Sequence, residues 1–316
     1  MTTLLIGGTG LLGGAIAEQL AGRDEPLRAL VRTGKQIARL RELGYTLEVG
    51  DLRDPRSLRR ALAGVRAVIS TAQGDPFKRR KRFADVDGRG NRALIEQAAA
   101  AGVQHLVFVS ALKADEGVGR VPQLAYKYAA EQALKASGMT YTILRPSSFQ
   151  ETFDDGFAPF KRLIERGGIG LVPGSGRGRH SFVAVRDVAR AAVLALDRPE
   201  ARDAVVPIGG PDDLSYPEAF AQIRSIAGRT VDLLYLPAPL LGLSGLLAAP
   251  LLPDLRALVA LLTFSDQAGY TTATPSWLLD ALGQRRDFAQ AVRDMYLKDK
   301  PKTKDRRGAE DTEAGT

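Results

Sequence analysis

The residues best suited to chemistry open the chain. Gly7-Gly8-Thr9-Gly10-Leu11-Leu12-Gly13 fits G-x-x-G-x-x-G from Gly7 and G-x-G-x-x-G from Gly8. Glycine lets a backbone turn tightly and approach a phosphate with no Cβ in the way. A helix starting inside this run offers unpaired N–H groups and a partial positive charge to an anion. The run follows an apolar segment, 3–6, and precedes a helical pattern, 11–21. That is the context a pyrophosphate cradle requires, and it weighs against a glycine-rich turn with no ligand. Gly7, Thr9, Gly10, Leu11, Leu12 and Gly13 are therefore expected to hold a dinucleotide. A second clue lies at the end of the next apolar run, in Val31-Arg32-Thr33-Gly34-Lys35. Domains that bind NAD usually place Asp or Glu there, about 20 residues on, to hold the ribose hydroxyls. Here the position is Arg32. A carboxylate would repel a 2′-phosphate, whereas a guanidinium can grip it with two hydrogen bonds. The expected cofactor is NADP(H), with a surface arginine as the bland alternative.

These residues need elements to position them. Short apolar runs at 3–6, 27–31, 47–49, 67–70, 105–110 and 140–144 read as strands. Helical patterns at 11–21, 36–43, 55–62, 87–101 and 124–137 fall between them. Alternation of this kind implies parallel strands joined by right-handed crossovers, with helices on both faces. The fold class is α/β, a doubly wound parallel sheet of the Rossmann type with a small C-terminal substrate-binding region. The expected division is 1–150 for the dinucleotide-binding domain and 151–297 for the region completing the fold. The charged segment 298–316 has little that could pack and is expected to be disordered. In the second half, 157–166 looks helical and 167–178 is glycine-rich. Asp187 could cap a helix over 187–196, and Ser215 with Glu218 fits a capping box opening 216–227.

These pieces together resemble the atypical short-chain dehydrogenase/reductase family, in particular its NmrA-like, isoflavone-reductase-like branch. The resemblance spans roughly residues 2–281 and is carried by Gly7 to Gly13, Val31-Arg32, Gly50-Asp51-Leu52, Ser110, Lys127 to Glu131, Leu144-Arg145-Pro146, and His180 to Ala189. The branch includes reductases and dinucleotide sensors. The resemblance implies that Asp51 and Leu52 flank the adenine, and that Ser70, Thr71 and Ala72 line the cofactor. It places Pro146, Ser148 and Phe149 near the nicotinamide. Asp51 could instead cap the following helix, and Phe149 could be ordinary core.

Ordinary members use Ser, Tyr and Lys, with the tyrosine one helical turn before the lysine. Ser110 and Lys127 stand at the serine and lysine positions, but the residue four before Lys127 is Gln123. Tyr126 and Tyr128 adjoin the lysine, so a helix points them elsewhere. Two readings stay open. Lys127 is the acid/base group of a reductase, or it holds the nicotinamide ribose in a sensor or assembly factor. A third, structural reading is an i,i+4 salt bridge to Glu131 on an exposed helix. The expected activity is NADPH-dependent reduction of a small apolar carbonyl, enone or quinone. The alternative is a non-enzymatic NADP(H)-binding regulator or membrane-associated assembly factor.

Composition narrows the classes. The 316 residues include no Cys and two His, His105 and His180, which excludes a disulfide framework, a cysteine nucleophile and a histidine-rich metal site. No metal ligand set is expected. The net charge of +8 and the basic run 78–82 could attract anions, but little aromatic interleaving and no binding motif accompany them, so no nucleic-acid partner is expected. No signal peptide is evident, and the expected compartment is the cytoplasm. Segment 233–253 carries no charge, yet Pro237, Pro239, Pro250 and Pro253 interrupt it. It reads as helices lining an apolar pocket, with membrane contact the less favoured use.

Overall fold

Strands covered on both faces have no polar side to show, so they read as short Val, Ile and Leu runs. The computed structural model describes residues 2–32, 37–75, 82–154, 160–237 and 254–297. Its first half alternates β1 (Thr2–Ile6), α1 (Leu11–Leu20), β2 (Leu27–Val31), α2 (Ile37–Glu42), β3 (Thr46–Val49), α3 (Pro55–Leu62), β4 (Val65–Ser70), α4 (Asn91–Ala100), β5 (His105–Val109), α5 (Pro122–Lys135) and β6 (Thr140–Pro146). Each strand and helix expected there is present, displaced only at its ends. The second half adds α6 (Phe160–Gly167), β7 (Ile169–Pro173), β8 (Arg179–Ser181), α7 (Val185–Leu194), β9 (Ala204–Ile208), β10 (Asp213–Ser215), α8 (Tyr216–Ala227), β11 (Asp232–Leu236), α9 (Leu255–Ala268), α10 (Ser276–Leu282) and α11 (Phe288–Tyr296).

Seven parallel strands form the central sheet in the order β3-β2-β1-β4-β5-β6-β9. The chain winds outward from β1 to β3, then returns and winds the other way from β4. The carboxyl ends of β1 and β4 therefore diverge into a crevice, the usual ligand site of such a sheet. Buried side chains of α1, α7 and α10 cover one face, and those of α3, α4 and α5 the other. A separate aromatic core fills the second half. There Phe153 meets Phe182, Phe220 and Phe288 edge-on, with ring centroids 5.2, 5.4 and 5.1 Å away.

β9, from the second half, completes the sheet by pairing with β6 through Thr142↔Ala204 to Pro146↔Ile208. Three features differ from expectation. The expected helix over 187–196 starts earlier, at Val185, and Ala184 is its N-cap. Asp187 lies in the first turn and accepts from Arg286 N–H at 3.2 Å, so it fastens the C-terminal segment instead of capping. Residues Ala84–Gly90, ahead of α4, wind as a π-helix. Its glycines allow close packing, since a Cβ on Gly88 would lie 3.2 Å from the Tyr126 ring and one on Gly90 3.0 Å from Leu52. Finally, 232–236 is a strand parallel to β7, not helix. The rest of that uncharged segment, 238–253, lies outside the described residues, as do Lys35, the basic run up to Lys81 and the tail 298–316. The expected capping box of Ser215 and Glu218 is present.

The turn between β1 and α1 is as tight as its glycines allow. Gly7 has φ +86° and a Cβ there would overlap the Thr71 hydroxyl. A Cβ on Gly13 would overlap the Gly7 carbonyl oxygen. Gly13→Ala is therefore expected to lower stability by about 1–3 kcal/mol, the usual range for overpacking, as a fall in the urea midpoint with an unchanged m-value.

Candidate active site at the carboxyl edge of the sheet

The end of β1 delivers the glycine turn to the crevice. Gly10 N–H bonds Gly7 O at 2.9 Å, which closes the turn, and Gly10 is the N-cap of α1. No side chain caps this helix and no acid lies in its first turn. The first-turn N–H groups are left to an outside acceptor. An added Cβ on Gly10 would meet only Gly7 O, at 3.3 Å, so the approach over Gly10 is open. Gly10 and Leu11 are exposed, Thr9 is half-buried, and Leu12 and Gly13 point into the fold. This cradle suits an anionic group such as a pyrophosphate. At the end of β4, Thr71 donates from N and Oγ1 to Ile6 O, which ties it to the same edge.

The second strand end carries Arg32, exposed, beside the third, which carries Asp51. Asp51 does not cap α3. Asp54 does, accepting from Arg56 and Ser57 N–H. Asp51 instead accepts from Arg53 Nε at 2.9 Å and Nη2 at 2.7 Å. That bonding, aided by the charge of Arg32, pulls its carboxyl down to about 2. Leu52 is buried against Gly90 as core of the face that holds α3 and α4.

The fifth strand and α5 bring the polar centre. Lys127 is 2% exposed, so an exposed salt bridge is excluded. Its partner is not Glu131. Lys127 Nζ lies 3.4 Å from Asp87 Oδ1, donates to Val109 O at 3.1 Å, and stands 5.5 Å over the Phe108 ring. Asp87, on the π-helix, also accepts from Gly74 N–H at 2.7 Å. Burial pushes the Asp87 carboxyl up, and the Lys127 ammonium opposes that shift. Glu131, fully buried, takes Arg145 Nη2 at 2.6 Å and Nε at 3.0 Å. It also accepts the Ser110 hydroxyl. Ser110 thus spends its proton on Glu131. Gln123 is buried one turn before Lys127, whereas Tyr126 and Tyr128 are half-exposed on other faces of α5. Tyr126 and Ala129 line a cavity of about 830 Å³ along the outer faces of α4 and α5, which Lys127 does not reach.

The sixth strand ends in Pro146, buried, followed by Ser147, Ser148 and Phe149. Phe149 is half-buried and bridges Val183, packing against the α1–α7 face. Ser148 Oγ lies 2.8 Å from His180 Nδ1. His180 is 1% exposed and stacks on Phe182, and burial pushes its imidazole down to about 4. It is neutral near pH 7. Thus Gly7, Thr71, Ser110, Lys127, Pro146 and Phe149 gather at one edge, with Arg32 and Asp51 at its far end. What sequence reasoning missed are the partners, each distant in the chain: Asp87 for Lys127, Arg145 for Glu131 and His180 for Ser148.

The sequence matches the NAD(P)H-binding family over residues 7–199. It is 31% identical over 233 residues to an NAD(P)H azoreductase of Xenophilus azovorans, covering 72% of this chain and 74% of that protein. It is 29% identical over 243 residues to a photosystem II assembly factor of Trieres chinensis, covering 77% and 74%. Among solved structures, an NADPH-dependent quinone oxidoreductase of Escherichia coli complexed with NADPH superposes with a TM-score of 0.76 at 22% identity, over 93% of this chain and 99% of that one. A Citrobacter sp. triphenylmethane reductase complexed with NADP(H) gives 0.75 at 19% identity, over 93% and 100%. These two likenesses bear out the doubly wound fold.

Removing one member of a buried ion pair leaves an unpaired charge, which typically costs about 3–5 kcal/mol. Asp87→Ala is expected to lose stability of that order in urea unfolding. The double variant Asp87→Ala with Lys127→Met should recover much of it. Additive losses in the double variant would show that the two groups do not interact.

Proposed function

The chain belongs to the NAD(P)H-binding family, and from that premise we propose that it is an NADPH-dependent reductase of a small, largely apolar carbonyl, enone or quinone compound. One observation carries the reading. An uncapped helix N-terminus built to take an anion and a buried lysine share the carboxyl edge of a single sheet. Gly7, Thr9, Gly10, Leu11, Leu12 and Gly13 hold the pyrophosphate, Arg32 takes the 2′-phosphate, and Asp51 and Leu52 flank the adenine. Thr71, Ser110, Pro146 and Phe149 border the path to the nicotinamide, which supplies hydride when bound. Lys127 has an N–H left over after Asp87 and Val109 O, and it offers that proton or a ribose contact. Asp87 keeps the ammonium in place, and Glu131 with Arg145 holds Ser110. The similarity to an NAD(P)H azoreductase supports a reductase reading. The substrate is a small molecule, and the cytoplasm is the proposed compartment.

A second reading is favoured by Gln123, where ordinary members place tyrosine, and by the likeness to an assembly factor. In it the chain binds NADP(H) and contacts a protein or membrane without turnover. No helix among the described residues is long and apolar enough to cross a membrane. Incubating the protein with NADPH and a panel of quinone, enone, aldehyde and azo compounds separates the two. Turnover above the uncatalysed rate supports the reductase. Tight NADPH binding with no turnover on any compound selects the second reading.

Cofactor choice is tested by calorimetry. NADPH is expected to bind more tightly than NADH, and Arg32→Asp to remove about 1–3 kcal/mol of the NADPH affinity, the worth of a charge-assisted contact. Equal affinities in the parent would sink the assignment. For Lys127, an acid/base role predicts that Lys127→Ala lowers kcat by about 10²–10⁴ with modest change in NADPH affinity. A ribose role predicts the reverse.

A further inference from the structure

We propose that Arg53 sets the cofactor preference by masking the Asp51 carboxylate, so that an acid can stand beside the 2′-phosphate site without repelling its occupant. This rests on the reading of Arg32 as the residue that takes the 2′-phosphate.

The sheet brings Arg32 and Asp51 together. Strands β2 and β3 run side by side in register, from Arg28↔Thr46 to Val31↔Val49. Gly50 N–H extends that ladder by bonding Val31 O at 2.9 Å. The residues that follow Val31 and Gly50 are Arg32 and Asp51. Their backbones leave the same edge about one strand spacing apart, roughly 4.8 Å. The Asp51 carboxyl accordingly feels the Arg32 charge. Both residues open to solvent, Arg32 exposed and the Asp51 side chain 29% exposed.

A bare carboxylate at that place would undo what Arg32 creates. An acid at a strand end is the group with which NAD-binding domains hold the ribose hydroxyls, and its charge repels a 2′-phosphate. Here Arg53 occupies it with three donors. Arg53 N–H and Nε reach Asp51 Oδ1, each at 2.9 Å, and Nη2 reaches Oδ2 at 2.7 Å. Both carboxylate oxygens are engaged by the guanidinium fork, the strongest geometry such a pair has. Arg32, Asp51 and Arg53 together present one positive charge. Without Arg53 the remaining two cancel, and the Asp51 oxygens are freed to accept ribose hydroxyls.

The pair is not what starts α3. Asp54 caps that helix, accepting from Arg56 and Ser57 N–H. A solvent-facing ion pair also adds little to stability. Its consequence lies in the charge it removes from the edge.

A double-mutant cycle tests this, with NADPH and NADH as probes in calorimetry at one fixed salt concentration, since exposed charges are screened. Arg53→Gln should lower the preference for NADPH over NADH about tenfold, the scale of unit charges a few ångströms apart at a protein surface. NADH affinity should stay equal or rise. In the Asp51→Asn background, where there is no charge to mask, the same Arg53→Gln change should cost less than about threefold. Arg53→Lys, which keeps the charge, should retain most of the preference. An unchanged preference in Arg53→Gln overturns the proposal. A loss as large in the Asp51→Asn background shows Arg53 acting on the phosphate directly and overturns masking. Equal loss for both nucleotides, with a lower melting temperature, marks a structural role and overturns it too. A parent that binds NADPH no more tightly than NADH overturns the Arg32 reading itself, and the role of Arg53 with it.

Discussion

A charge beneath a sheet covered on both faces has no water to turn to, so it must find its opposite there. The centre of this molecule is organised by that constraint. Asp87 and Lys127 are both buried and lie 3.4 Å apart, and Glu131 and Arg145 pair at 2.6 Å a turn further along α5. Apolar residues of similar volume would serve stability as well or better. What the pairs add is position. Asp87 reaches from the π-helix to Lys127 on α5 and to Gly74 in the segment after β4, which fixes three elements relative to one another. Glu131 draws Arg145 of β6 and Ser110 after β5 to the same point. The carboxyl edge is thus set from beneath by paired charge.

The parts of this that the sequence reveals are those encoded locally. The glycine turn can be read because strand, turn and helix are contiguous, and each glycine has a steric reason to be there. Most of the six first-half strands can be read because a buried strand leaves a mainly apolar run, whereas β3 at the sheet edge is half-exposed and carries Glu48. Strand β9 escaped because Ala204-Val205-Val206-Pro207-Ile208 contains a proline, and its partner β6 lies some sixty residues earlier. Pro207 is tolerable where β9 closes the sheet as an edge strand. Asp187 was misread as a cap because nothing local distinguishes an acid bonding its own helix from one reaching Arg286 N–H, 99 positions on. Lys127 was legible by its spacing, but its partner was not. Glu131, at i+4, is the local choice, and Asp87, forty positions earlier, is the actual one.

The second half of the chain does more than cap the sheet. Its aromatic core around Phe153 has its own hydrogen-bonded seam to the segment that leaves β6. Gln150 donates to Phe182 O at 3.1 Å and Arg286 O at 2.8 Å, and Glu151 takes Val185 N–H at 3.0 Å and Arg286 Nη1 at 3.2 Å. This seam begins one residue after Phe149, so the segment that leaves β6 is fixed as soon as it leaves the sheet. His180 completes it by meeting Ser148. A neutral imidazole suits that place, because an imidazolium among Phe182, Tyr216 and Tyr270 would be charged without a hydrogen-bonded acid beside it.

The edge is therefore built by two halves under different constraints. The first half supplies the glycine turn and the paired charges, whose geometry is fixed by backbone contact and burial and leaves little freedom. The second half supplies Ser148, His180, Phe149 and the aromatic packing around them, held by side-chain contacts that tolerate substitution if volume is kept. Change in the second half can alter what lies over the edge while the turn at Gly7 to Gly13 stays as it is. The chain's similarity both to an azoreductase and to an assembly factor fits that division. A shared lower edge is compatible with different fates for what it holds.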